Sequence, residues 1–499
     1  MKKSIKKIAF MLPAALLMGC EPEFDDVEFN QGTADFSTTV AVGNSLTAGF
    51  QSNALRREKQ LVSFPAIIAE QLKQVGGGAF TQPLLAEGVG IGSAGNAEFG
   101  LAYSTNCAME TSLAPAPIAA QGQIDQISNP ATFVGADGPF NNVGVPGAKS
   151  YHLGFPGYAT LNPFYGRFAN PSDPNETVVA AAMRNNPTFF MLWIGNNDVL
   201  GYATSGGSGV NQTGNPNPAT YGNNDITDPT AFAGTYQQLI GALTATGAKG
   251  VVANIPDVTS IPYFNAVPIG TDAVDATTAA QLNAAYAAYN GALDNAVQIA
   301  AAKPWIDFSQ AEADSRKISF TGGQINTFVV LDPALTDLTD TAYTNVNPAF
   351  AGVIQMRQAR PGEKLILTTP GDSLLCAMWG TAKPIPPQYH LTAAEIDSIS
   401  TATDAYNNTI RNIASTEGLA FVDMASILNR LANGGVTIDG ITFNADFVTG
   451  GAFSMDGVHL STRGYAFTAN EFINAINATY GANIPKVSVG DYPNIEVTN

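Results

Sequence analysis

Histidine, cysteine and tryptophan are scarce in this chain, with three of each in 499 residues. So few imidazoles and thiols, with no close His/Cys cluster, argue against a zinc site. Basic residues are also few: 23 Lys and Arg stand against 41 Asp and Glu, for a formal charge of −18. A chain this acidic does not bind nucleic acid by neutralising phosphates. Its negative surface fits solubility outside the cytoplasm and says nothing about fold. Only 13% of residues are charged, while Gly, Asn, Thr and Ala abound, which suits an exported protein. Beyond the N-terminus no apolar run approaches the roughly 20 residues a membrane-spanning helix needs. No repeat of fixed period is present, and no Gly-x-Ser-x-Gly nucleophile elbow is complete.

What is present begins with an export pattern. Lys2, Lys3, Lys6 and Lys7 precede an apolar run from Ile8 to Met18, and Leu17-Met18-Gly19-Cys20 closes it. Residues 1–19 resemble a bacterial lipoprotein signal peptide, which implies cleavage before Cys20, acylation there, and a lipid anchor in the envelope at the outer membrane or the cell surface. An ordinary secretory signal with an incidental cysteine is the alternative. Residues 20–36, in which "EPEFDD" follows Cys20, read as an acidic tether, and 486–499 as a C-terminal tail. Cys107 and Cys376 could pair in an oxidising compartment, although sequence does not place their α-carbons within reach.

Between these ends, short apolar runs alternate with longer helical patterns, so the fold class is α/β with three α/β/α layers and a mostly parallel central sheet. Val40-Ala41-Val42, Phe189 to Ile194, Val251-Val252-Ala253 and Leu419 to Val422 read as strands. Asp228-Pro229 opens a helix with Phe232, Tyr236, Leu239, Ile240 and Leu243 on one face. Leu282, Tyr286, Tyr289, Leu293 and Val297 stripe a second. Thr392-Ala393-Ala394-Glu395 is a capping box opening a third. The domain is expected over 37–485, enlarged by irregular insertions near 85–140, 204–224 and 303–390, segments of the kind that carry function or disorder.

Two serines compete as nucleophile. "TTPGDSLLCAMWG" (368–380) and "TVAVGNSLTAGFQ" (39–51) spell nearly the same word. A serine hydroxyl needs a base to take its proton and donors to receive the oxyanion. Ser45 follows a strand and is flanked by Gly43 and Gly49, whereas Ser373 has Ala377 where the second glycine would stand. Of the three histidines, only His459 has a carboxylate three residues earlier, Asp456 in "DGVHLSTRGY"; His152 follows Lys149 and His390 follows Pro387 at that spacing. Asp456 could hold the ring's far N–H and stabilise the imidazolium.

Four blocks in order, "GNSLTAG" (43–49), "NNVGVPGAKS" (141–150), "GNND" (195–198) and "DGVHL" (456–460), resemble those of the SGNH hydrolases, the GDSL esterase/lipase family. The resemblance implies a flavodoxin-like sheet, a triad of Ser45, His459 and Asp456, and an oxyanion hole from the Ser45 and Gly147 N–H groups and the Asn197 amide. Gly144 is an alternative donor, and Asp198 braces the Asn197 loop. It further implies hydrolysis of acyl or acetyl esters of glycans or lipids, with no metal and no cofactor. Asn44 departs from the family's usual Asp, and the blocks cover only a few dozen residues. The polar loop 204–224 springs from the Asn197 block, so it is expected to overhang the site as a sugar-facing rim. The alternative from another class is a catalytically silent surface lipoprotein that binds glycan or a partner protein.

Overall fold

The computed structural model describes residues 28–87, 90–92, 98–117, 134–303 and 305–494. The signal sequence, Cys20, most of the acidic run, parts of the 85–140 insertion and the last five residues lie outside the described residues.

Five strands form one all-parallel sheet: β1 (Thr39–Gly43), β2 (Asn142–Gly144), β3 (Phe189–Trp193), β4 (Lys249–Ala253) and β5 (Ala420–Val422), in the spatial order β2-β1-β3-β4-β5. Nearly every residue in them is buried, as continuous apolar strands covered on both faces must be. Helices flank the sheet: α1 (Ser45–Ala48), α2 (Phe64–Leu72), α3 (Val178–Met183), α4 (Asn197–Thr204), α5 (Pro229–Thr244), α7 (Ala393–Thr416), α8 (Met424–Ala432) and α9 (Thr462–Tyr480), whereas α6 (Ala276–Ala302) packs with the 303–390 insertion. One group packs α9 on α2 and β5; another packs α5 against α3 and α7. The start signals act as the sequence suggests. Asp228 accepts from Ala231 N–H, and Thr392 and Glu395 form a reciprocal capping box.

The strand order reverses between β1 and β3. In open α/β sheets, ligands bind outside the carboxyl ends of the strands at that reversal. Gly43 is in register with both Gly144 and Trp193, so the ends of β1, β2 and β3 are level. The segments opening on Asn44, Val145 and Ile194 therefore leave the sheet side by side.

The expected boundaries shift at both ends. Phe36, assigned to the tether, is fully buried and meets Phe189 edge-on at 4.9 Å; burial of such a ring stabilises by roughly 1.5–3 kcal/mol. The described part of the tail, 486–494, is bound to α9: Asn470 exchanges two hydrogen bonds with Val487, and Arg463 donates to Tyr492 O. The 303–390 insertion joins α6 in a separate apolar cluster that includes Leu293, Ile306, Val329 and Phe350. There Arg357, fully buried, is held by Asp332 and Glu363. A hairpin of strands 99–105 and 111–117 reaches this insertion through a Cys107–Cys376 disulfide.

Candidate active site

The site is assembled from the level strand ends. β1 stops at Gly43, where a Cβ would stand 2.4 Å from Trp193 O and 2.2 Å from Thr47 Oγ1; only glycine allows this approach. Asn44 caps α1, its side-chain oxygen accepting from Leu46 N–H at 3.0 Å. The capping task that Asp performs in the resembled family is thus within reach of an amide. Ser45 is the first residue of α1, and its N–H has no intrahelical acceptor.

Across the cleft edge, His459 Nε2 lies 2.9 Å from Ser45 Oγ, and His459 Nδ1 lies 2.8 Å from Asp456 Oδ2. Asp456 is buried and takes further hydrogen bonds from the N–H groups of Val458, His459 and Asn53. Burial alone would push its carboxyl up. The His459 charge and these hydrogen bonds outweigh that effect and hold it well below the usual carboxylate range. An ionised carboxylate only accepts, so Nδ1 carries the ring proton and Nε2 is left to accept from the serine hydroxyl.

Some 400 residues separate Ser45 from His459, yet the turn after α1 is fastened directly to the 454–465 segment. Ser52 N–H donates to Ser454 Oγ at 2.9 Å, Asn53 N–H to Asp456 Oδ2 at 2.8 Å, and Tyr465 O–H to Phe50 O at 2.8 Å. Ser52 and Asn53 have φ of 49° and 66°. Two successive residues in this left-handed region form a tight two-residue turn, closed by Gln51 and Ala54, which exchange main-chain hydrogen bonds at 3.0 and 2.9 Å. The Phe50 ring also packs on the imidazole, with centroids 4.7 Å apart. Sequence reading missed all of these, because Ser and Asn at positive φ carry no signal as clear as glycine.

The expected oxyanion donors come from the neighbouring strand ends. The loop after β2 is tied to the nucleophile turn by Val145 N–H to Gly43 O at 3.0 Å, and to α4 by Asn197 Nδ2–H to Ala148 O at 2.9 Å. Asp198, fully buried, accepts from both the N–H and the hydroxyl of Ser150. It braces this loop, and burial pushes its carboxyl up. Gly147 adopts φ 78°, and its N–H meets no protein acceptor among the described residues. Gly144 is not free to serve instead, since its N–H is bonded to Asn142 Oδ1 at 3.0 Å.

The other candidates stand elsewhere. Ser373 lies in a short helix of the insertion, Gly371–Leu375, and no imidazole bonds its hydroxyl. His152 stacks on Tyr158, accepts from Lys149 N–H at Nδ1, and is pushed down to about 4 by burial and then by Lys149. His390 sits in the insertion with Nε2 2.8 Å from Leu331 O.

The 204–224 loop, expected over the site, contributes no residue to the apolar cleft beside Ser45 and meets instead the segment after β2, where Tyr221 packs edge-on against Tyr151 at 5.7 Å. That loop folds about the Asp225 carboxylate, which accepts from Val210 N–H, Gly222 N–H and the Gln212 amide. Much of the loop otherwise faces solvent. The cleft walls are instead apolar, and α8 supplies much of them. Met424, Ile427, Leu428 and Leu431 recur at the spacing of one helical face, a signal the sequence carried.

No protein-family model matches this chain, and neither a curated protein nor a solved structure matches it.

Proposed function

We propose that the chain is a serine esterase of the SGNH hydrolase type, exported and lipid-anchored to the bacterial envelope through Cys20. His459 takes the Ser45 proton as Oγ attacks an ester carbonyl. The tetrahedral oxyanion is received by the Ser45 and Gly147 N–H groups and the Asn197 amide. The alcohol leaves with the proton from His459, and water repeats the sequence on the acyl-enzyme, releasing the acid and restoring Ser45. No cofactor takes part. The observation that carries this reading is the unbroken chain Ser45 Oγ, His459 Nε2, His459 Nδ1, Asp456 Oδ2, with contacts of 2.9 and 2.8 Å. The strand order β2-β1-β3-β4-β5 is that of flavodoxin-like sheets, and it agrees with the fold that the four sequence blocks imply.

Removal of one oxyanion donor gives a graded test. Asn197→Ala is expected to lower kcat on para-nitrophenyl butyrate by about 10²–10³. KM should change little, because the donor acts on charge that develops in the transition state. Absence of wild-type turnover on any activated ester would favour the silent binding protein.

A further inference from the structure

A cleft open at its mouth lies beside Ser45. Its polar lining consists of Ser45, Asn197 and His459 of the proposed reacting centre, Asn44, which caps α1, Asn196, which accepts from the Asn44 amide, and Thr468, whose buried hydroxyl has no partner among the described residues. The rest is hydrocarbon: Ile427, Leu428 and Leu431 of α8, Val258 and Ile261 beyond β4, and Phe453 before the catalytic turn. All six are buried. A sugar placed against this wall would leave its hydroxyls without partners, at a cost for each. An acetyl group would leave most of the wall wet. A flexible alkyl chain matches it.

Resting on the serine-esterase reading, we infer that this cleft binds the aliphatic chain of the ester, so the enzyme prefers esters bearing a medium-length alkyl chain over acetylated glycans. The chain can belong to the acyl group or to the alcohol. The shared chemistry is an unbranched hydrocarbon tail entering between α8 and the 452–460 segment while the ester carbonyl stays at Ser45.

The two sources separate in paired series: para-nitrophenyl acetate, butyrate, octanoate and dodecanoate for the acyl chain, and ethyl, butyl and octyl acetate for the alcohol. In one series kcat/KM is expected to rise about fourfold per methylene until the cleft is filled, the factor equivalent to about 0.8 kcal/mol for a buried methylene. Leu428→Trp, which fills the cleft, should lower the octanoate-to-acetate ratio at least tenfold in the acyl case, or the corresponding octyl-to-ethyl ratio in the alcohol case. Ile427→Ala, which enlarges the cleft, should move the optimum to a longer chain. A steep fall beyond the shortest member in both series overturns the inference while leaving the esterase reading intact. Calorimetric titration of Ser45→Ala with decanoate and with decanol tests the cleft without catalysis. Binding that Leu428→Trp weakens at least tenfold supports the alkyl site even if no ester is cleaved, an outcome that would remove the esterase reading alone. Absence of binding by either probe overturns the inference.

Discussion

The His459→Ala protein is expected to hydrolyse activated esters about 10⁶-fold more slowly than wild type in kcat, with little change in KM. Loss of the base of a serine triad removes almost the whole covalent route and leaves only what the oxyanion donors and binding contribute. The magnitude follows from there being no substitute. Among the described residues, His459 alone of the three imidazoles reaches the Ser45 hydroxyl. His152 is locked against Tyr158 and Lys149, and His390 against Leu331. The substitution should be tolerated by the fold, because the main-chain N–H of residue 459 keeps its bond to Asp456. What is lost is the ring contact with Phe50 and the ring's hydrogen bonds to Asp456 Oδ2 and Ser45 Oγ, while Asp456 keeps the main-chain N–H donors of Val458, residue 459 and Asn53. Steady-state kinetics beside a thermal melt separates the two effects: a melt within a few degrees of wild type and a collapse in kcat are the expected pair.

Asp456→Asn is expected to lower kcat by about 10⁴, the scale of loss when a triad carboxylate becomes an amide. The environment gives the reason. Oδ1 accepts from the N–H groups of Val458 and His459, while Oδ2 accepts from Asn53 N–H and the His459 ring. An amide oxygen can keep the first pair, but the amide nitrogen then faces two donors where the native residue offered an acceptor. The ring responds by presenting an unprotonated Nδ1, which places the proton on Nε2, where it can no longer accept from Ser45. Because the folded carboxyl is held below its ordinary value, the stability it contributes is present above the unfolded carboxylate pKa. It is lost as pH falls toward the lowered folded value. Acid titration of stability should therefore be shallower in Asp456→Asn than in wild type, while the alkaline side is shared.

Much of the site was legible because its chemistry sits at the ends of apolar strands. Val40-Ala41-Val42 ahead of Gly43 and Phe189 to Ile194 ahead of "GNND" announce both the sheet and the residues that leave it. The same local logic chose Ser45 over the better-spelled Ser373, since a nucleophile is marked by its base and donors. What stayed hidden is non-local or conformational. β2 is three residues long, too short for periodicity. The Ser52–Asn53 turn depends on positive φ at two successive residues, neither of them glycine. The cleft draws its walls from segments near 193–200, 256–261, 424–431 and 452–468, and no reading along the chain sums them. The expectation for 204–224 failed for a related reason. The loop does face solvent, with Asn211, Asn217 and Asn223 exposed, but it folds about the Asp225 carboxylate and contributes nothing to the apolar cleft walls.

The most direct test is where a fluorophosphonate attaches. After brief exposure at neutral pH, peptide mass analysis of the wild-type protein should find a single adduct, on the peptide bearing Ser45. Ser373→Ala should label as wild type does, and His459→Ala should label far more slowly. An adduct on Ser373, or labelling of wild type no faster than that of Ser45→Ala, would contradict activation of Ser45 by His459.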